Sequence, residues 1–276
     1  MTPDIQLLVL DIDGTISGKS NQIREPVLQA IHTAQTKGVK VALATGRMYR
    51  SALSFYELVG SQLPLICYQG AWIQEPLTNT LHRHLSVATD FVHQLLDEFE
   101  KPDWHTLSVH FYIDDRLYVR ELTPHTRAYI ERSQVEPIVG DLRSLLDQFS
   151  PTKVLALSDD TDAIDRLYRS FRQRYTPQEL YLTKSVATFF EAANPLVNKG
   201  AAVQYLAEDL LGLDRSQVMT IGDNFNDVEM IAYAGVGVAM GDAPAEVRQI
   251  ADWVAPGVEE DGVAVAIDRF ILQRQL

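Results

Sequence analysis

The stretch Leu7-Leu8-Val9-Leu10-Asp11-Ile12-Asp13-Gly14-Thr15 constrains this chain more than any other. An aliphatic run ending in Asp-x-Asp-Gly-Thr reads as a buried strand of a parallel sheet that delivers two carboxylates into a tight turn. In open α/β sheets ligands sit just beyond the carboxyl ends of such strands, where Asp11 and Asp13 would stand. Alternation along an extended chain puts both side chains on one side, and nearby carboxylates repel unless a cation or a shared proton relieves them. Phosphoryl transfer with a magnesium ion is the chemistry this suggests first. A turn capped by acidic side chains would give the same letters, so the rest of the chain has to decide.

Three further signals follow in order. Thr45-Gly46-Arg47 ends a second apolar strand, Asn198-Lys199-Gly200 opens a helix, and Gly222-Asp223-Asn224-Phe225-Asn226-Asp227 follows a third apolar strand. Taken together, the four motifs resemble the haloacid dehalogenase superfamily, and specifically its Cof-type phosphatases of subclass IIB. Their large α/β cap is inserted between the Thr motif and the Lys motif. The resemblance spans the whole chain in order and length, with its specific residues in the outer thirds.

Composition bounds the partners. Across 276 residues, hydrophobic content of 46% and charged content of 22% are those of an ordinary globular protein with room for a core. A formal net charge of -13 argues against a nucleic-acid or anionic-membrane surface, leaving a small phosphorylated molecule held by local cations. The lone Cys67, inside Leu65-Ile66-Cys67-Tyr68, excludes an internal disulfide framework and reads as a small buried apolar residue. Met1-Thr2-Pro3-Asp4 shows no basic region of a leader, and no stretch is apolar for long enough to span a membrane. A cytoplasmic monomer or weak homodimer is expected.

Residues 5 to 75 read as β-α-β-α-β: strand, helix from Glu25-Pro26 to about Gly38, strand Val39 to Ala44, helix from about Met48 to Val59, and strand Leu65 to Tyr68. The same grammar returns after Lys199, with a helix to about Leu211, strand Val218 to Ile221, helix Val228 to Tyr233, strand Val236 to Ala239 and a helix from Ala245. Between them the pattern changes. After a helix around Asp90 to Phe99, His110 to Val119 reads as a hairpin around Asp114-Asp115-Arg116. Strand Lys153 to Leu157, helix Asp162 to Arg174, and strands near Leu180 to Leu182 and Ala187 to Phe190 follow. The expected fold is therefore a Rossmann-like α/β core with a parallel sheet, residues 1–83 and 191–276, interrupted by an α+β cap, residues 84–190.

The resemblance also implies roles. Asp11 is the expected nucleophile, forming an aspartyl phosphate, and Asp13 the expected general acid and then base, which requires different environments for the two carboxyls. Magnesium would be held by the Asp11 side chain, the Asp13 backbone carbonyl and Asp223, with Asp227 in an outer shell. Thr45 and the amides around Gly46 suit the transferring phosphoryl group. Lys199 and Asn226 are expected phosphate or substrate contacts by the same resemblance. Arg47 reads equally as a contact to an anionic substrate or as a salt-bridge partner.

The family usually has Asn-Gly-Ala after its third strand, whereas this chain has Gln69-Gly70-Ala71, which changes a side chain at the substrate mouth. Glu191, near the cap exit, stands where relatives often place an acidic residue. Within the cap, His110, Tyr112, Asp114, Asp115, Arg116, Lys153 and Lys184 are candidates for specificity, and Trp72 and Trp104 read as packing groups.

The leading reading is a magnesium-dependent phosphatase of sugar phosphates or phosphorylated cofactors. A dedicated sucrose-phosphate or mannosyl-phosphoglycerate type of phosphatase shares these motifs, and a degenerate binding protein for phosphometabolites is the non-enzymatic alternative. A mutase would carry a small helical cap between Asp13 and Thr45, where this chain is too short. Receiver-type signalling domains are much smaller, and ion-pumping relatives have Thr in place of Asp13.

Overall fold

The structure is a computed structural model that describes residues 4–273. Met1-Thr2-Pro3, where no leader is expected, lies outside that range. Two compact units emerge: one made of the chain up to His82 together with Asn198 onward, the other of Arg83–Val197.

The first unit begins β1 (Leu7–Leu10), α1 (Glu25–Thr36), β2 (Lys40–Leu43), α2 (Tyr49–Val59), β3 (Leu65–Cys67) and β4 (Trp72–Glu75), and β5 (Thr80–His84) reaches the boundary. The second unit holds α3 (Thr89–Phe99), β6 (Ser108–Ile113), β7 (Arg116–Val119), α4 (Pro124–Ser133), β8 (Pro137–Val139), α5 (Leu142–Leu145), β9 (Lys153–Leu157), α6 (Thr161–Arg174), β10 (Tyr181–Thr183) and β11 (Phe189–Ala193). The first unit then resumes with α7 (Lys199–Gln204), β12 (Val218–Gly222), α8 (Val228–Tyr233), β13 (Val236–Ala239), α9 (Ala245–Ile250), β14 (Trp253–Val254) and α10 (Gly262–Ile267).

The first unit is built on a parallel sheet of order β14-β13-β12-β1-β2. Both sides of it are covered, so β1 and β12 are buried at every position, as their unbroken aliphatic sequences require. Leu10 lies level with Leu43 on one side and Ile221 on the other, so three strands end together. Beneath that edge Leu7, Val9, Ala42, Ala202, Leu206 and Met230 share one apolar cluster.

Two expectations change here. β3 does not extend the parallel sheet as a full strand: it is joined to the β2 end only by a bridge from Ala44 to Ile66 and pairs antiparallel with β4. The β3-β4-β5 sheet and helix α10 are absent from the sequence reading.

The second unit is a six-stranded sheet of order β10-β11-β9-β6-β7-β8. The expected hairpin is present: β6 and β7 pair antiparallel around Asp114 and Asp115, whose φ angles of 48° and 55° give the double left-handed turn such hairpins favour. Phe111, Val154, Phe190, Leu167 and Phe171 lie in the core on one face of the sheet, under α3 and α6. The expected cap exit at residue 190 falls inside β11, which runs on to Ala193 in register with β9 and β10. Glu191 therefore belongs to this sheet. Helix α4, strand β8 and helix α5 are further elements that the sequence pattern had not suggested. No helix among the described residues is long and apolar enough to cross a membrane.

Candidate active site

Because β1, β2 and β12 stop level, the residues that follow them converge at one edge of the sheet. Asp11 leaves β1 with its N–H on Ile221 O at 3.1 Å, and Ala44 N–H donates to Leu10 O at 2.9 Å just before Thr45. Asp223 follows β12. Lys199 arrives from the side at the first turn of α7, whose N-cap Asn198 accepts from Ala201 N–H at 2.6 Å. The helix can approach this closely because of Gly200, where a Cβ would stand 2.6 Å from the Glu229 backbone.

Lys199, Asp227 and Asp11 are buried, and Asp223 is half-buried beside them. Lys199 Nζ bridges Asp11 Oδ1 at 2.6 Å and Asp227 Oδ1 at 2.5 Å. Asp227 Oδ2 accepts the backbone N–H groups of Asp223 at 2.9 Å and Asn224 at 3.1 Å, so both oxygens of Asp227 are committed to holding neighbours. Thr15 Oγ1 donates to Asp223 Oδ1 at 3.3 Å. Gly14, at φ 84°, makes room for that carboxylate: a Cβ there would lie 2.2 Å from Asp223 Oδ2. Among the described residues, no hydrogen bond reaches Asp11 Oδ2.

Charge is out of balance in this cluster. Asp11, Asp223 and Asp227 each offer an oxygen within 4.8 Å of the others, against one ammonium group. Burial first, then Asp11 and Asp227, push the Asp223 carboxyl up to about 9. Asp11 is pushed up to about 7 by burial, against the pull of Lys199. Burial alone would lower Lys199, but Asp11 and Asp227 outweigh it and hold the ammonium charged. Carboxylate oxygens crowded to this degree suit a hard divalent cation, which would let Asp11 and Asp223 ionise together.

Asp13 is close enough for its charge to act on Asp11, and it has a partner of its own: Arg47 donates Nε to Asp13 Oδ2 and Nη2 to Oδ1, both at 2.7 Å. Arg47 also reaches Asn21 Oδ1 and lies over the Phe55 ring at 4.4 Å. Each carboxylate of the first motif thus has its own cation, Lys199 for Asp11 and Arg47 for Asp13. Of the two readings of Arg47, the salt bridge is the one present.

Thr45 is buried, with Oγ1 accepting from Arg47 N–H at 3.1 Å. Asn226 is at the same edge, where its Nδ2 donates to Gln69 Oε1 at 3.0 Å. The structure brings Asp11, Asp223, Asp227 and Lys199 into one cluster; a salt bridge was one of the two readings of Arg47, but its partner Asp13 and the Asn226–Gln69 pair were not read from the sequence. The only available signal for the latter was the departure at Gln69. Among the cap candidates, His110, Tyr112 and Lys153 share one sheet face with Glu191. Lys153 pairs with Glu191 at 3.1 Å and lies over the Tyr112 ring at 4.9 Å, while Ser185 donates to Glu191 Oε1. Trp72 is buried with its indole N–H on Gln74 Oε1 at 2.7 Å, a packing group as expected.

A parallel sheet with a buried, lysine-bridged carboxylate at the end of β1 agrees with the family comparison: a family model described as haloacid dehalogenase-like hydrolase matches residues 8–267. The chain belongs to that family. Among its relatives is the Bacillus subtilis 5-amino-6-(5-phospho-D-ribitylamino)uracil phosphatase YitU, 32% identical, with 94% of each chain covered. A haloacid dehalogenase-like hydrolase of Bacteroides thetaiotaomicron has the same fold, with TM-score 0.84, 24% identity, and 96% of this chain and 99% of that one covered. So does the subclass IIB sugar phosphatase BT4131, with TM-score 0.80, 20% identity, and 96% and 98% covered.

Proposed function

We propose that this chain is a magnesium-dependent phosphatase of small phosphorylated metabolites, working through an aspartyl phosphate on Asp11. The observation that carries this reading is the Asp11 carboxylate: buried at the end of β1, fixed through Oδ1 to Lys199, with Oδ2 meeting no donor among the described residues. Such an oxygen is positioned and desolvated, as an attacking group must be.

In the reading we favour, Asp11 Oδ2 attacks phosphorus and the bond to the leaving oxygen breaks. Asp13 gives that oxygen a proton, then takes one from the water that hydrolyses the aspartyl phosphate. Arg47 engages both oxygens of Asp13, so proton transfer through Asp13 requires Arg47 to let go of one of them. Lys199 keeps the Asp11 carboxylate oriented and offsets the negative charge that gathers at the transfer. Thr45 and the Gly46 amide receive the phosphoryl oxygens. Asp11, the Asp13 carbonyl and Asp223 would hold magnesium, which when bound supplies neutralising charge at the phosphoryl oxygens. Asp227 fixes Lys199 and the Asp223 backbone and so supports that set from outside it.

We assign the second unit, Arg83–Val197, the part of the cap that chooses the leaving group. YitU, by its name, acts on a phosphorylated ribityl compound. We take phosphomonoesters of polyhydroxylated leaving groups, sugar phosphates and phosphorylated cofactors among them, as the substrate class. Phosphate release from a panel of these, with magnesium or with EDTA, tests the reading. Turnover that requires magnesium and is lost in Asp11→Asn is the expected result. Binding of the same compounds with no turnover would replace the phosphatase reading with that of a binding protein.

A further inference from the structure

Gln69 lies in a backbone conformation that a side-chain-bearing residue seldom adopts. Tyr68, Gln69 and Gly70 pass in succession through the left-handed region, at φ 51°, 59° and 96°, although two of the three carry side chains that disfavour it. The loop is held there by the segment after β2: Tyr68 N–H donates to Arg47 O at 2.9 Å, and Gln69 N–H to Thr45 O at 3.0 Å. Its effect is to press the Gln69 side chain, 2% exposed, against Gly46. A Cβ on Gly46 would come within 2.4 Å of Gln69 Nε2.

Within the amide, Oε1 accepts from Asn226 Nδ2 at 3.0 Å, while Nε2 has no acceptor. A buried N–H donor without a partner is unfavourable and uncommon, and one held by a strained loop beside a ligand site calls for a ligand acceptor. The groups around it are Thr45 and Gly46, so the missing acceptor is an anionic oxygen arriving at that loop.

We propose that Gln69 is a phosphate-binding residue, its Nε2 donating to a phosphoryl oxygen beside Gly46. Asn226 is then a positioning residue that acts through Gln69: by donating to Oε1 it fixes which end of the amide faces the phosphate. The inference rests on the phosphatase reading above and adds to it a donor on a side chain longer than the family's usual Asn.

Titration calorimetry of the full chain with inorganic phosphate, in the presence of magnesium, tests it on Gln69→Leu, Gln69→Glu and Asn226→Asp. Gln69→Leu keeps the bulk and removes the donor, and should weaken phosphate binding about tenfold or more. Gln69→Glu places a carboxylate oxygen there and should weaken it further. Asn226→Asp presents only acceptors to Gln69, turns its amide over, and should match Gln69→Leu without having touched the phosphate itself. Melting curves identify any variant that fails to fold, and the proposal is then read from the others. Phosphate binding within twofold of native in folded Gln69→Leu or Gln69→Glu would overturn it while leaving the phosphatase reading intact. A native chain that neither binds phosphate nor releases it from any phosphomonoester would sink both.

Discussion

The two units each bury a cluster of charged side chains, but they balance those charges differently. On the sheet of the second unit Lys153 meets Glu191 one to one, with Ser185 and the Tyr112 ring as company. At the edge of the first unit three carboxylates share Lys199. The first arrangement is closed, because each charge already has its counter-charge. The second is open: burial above all, with the neighbouring carboxylates adding to it, raises the Asp11 and Asp223 carboxyls. Buried ion pairs alone therefore say little about where chemistry happens; the sign and size of the imbalance say more.

The most severe way to break this contrast is Asp11→Asn, which should cut phosphate release about a thousandfold or more while leaving the fold cooperative, as read by steady-state kinetics and thermal melting. Next come the lysines. Lys199→Met strips the open cluster of its one cation and should cost about 3–5 kcal/mol in denaturant unfolding without metal, partly restored by magnesium. Lys153→Met should also destabilise, by leaving Glu191 buried and unpaired, yet the double variant Lys153→Met, Glu191→Leu should return to within about 1 kcal/mol of native. No such apolar rescue of the first cluster would keep activity. Asp223→Asn should raise the melting temperature of the metal-free chain, by relieving repulsion, and abolish the further rise that magnesium gives the native protein.

The smallest effect is a pair of opposed pH slopes. Asp223 and Asp11 bind protons more tightly folded than unfolded. Metal-free stability should therefore fall as pH rises from about 4 toward 9, and Asp223→Asn should flatten that limb. His110 does the reverse. Burial, and then Lys153, lower it from 6.5 to about 3, so the folded chain keeps it neutral while the unfolded chain protonates it. Stability should fall as pH drops below 6.5, by about 2 kcal/mol near pH 5. Its Nε2 pairs with Thr126 Oγ1 at 2.9 Å and its ring meets Tyr129 edge-on, so His110→Asn should flatten the acid limb at some cost in packing. Equal acid limbs in the native chain and His110→Asn would remove His110 from this account.

The same contrast governs what could be read from the sequence. The open cluster was legible because its residues follow strands of unmistakable character: the aliphatic runs before Asp11 and Asp223 announce buried parallel strands, and Asp11, Thr45 and Asp223 come next in each. The hairpin at Asp114-Asp115 was legible for a local reason, a turn whose residues tolerate positive φ. What depended on distant partners was not. The partner of Asp13 could not be read locally: Arg47, 34 positions on, takes both of its oxygens. The Gln69 amide is set by Asn226, 157 positions away, and by a loop of left-handed residues that no propensity favours. The expected end of the inserted unit at residue 190 falls short because strand β11 runs on to Ala193, with Glu191 an interior member paired to Lys153.

The order of the parallel sheet also carries a consequence for the chain as it is made. β1 is flanked by β12, which comes from the far end of the polypeptide, and Thr15 meets Asp223 across 208 positions of sequence. At about 5–20 residues per second, the ribosome delivers the second partner about 10–40 s after the first. During that interval the edge of β1 is unpaired on one side, and Asp11 has neither its lysine nor its acidic neighbours. The whole second unit emerges complete in the meantime and is free to fold first, so a nascent chain passes through a stage with a finished insert and an inert, half-built host.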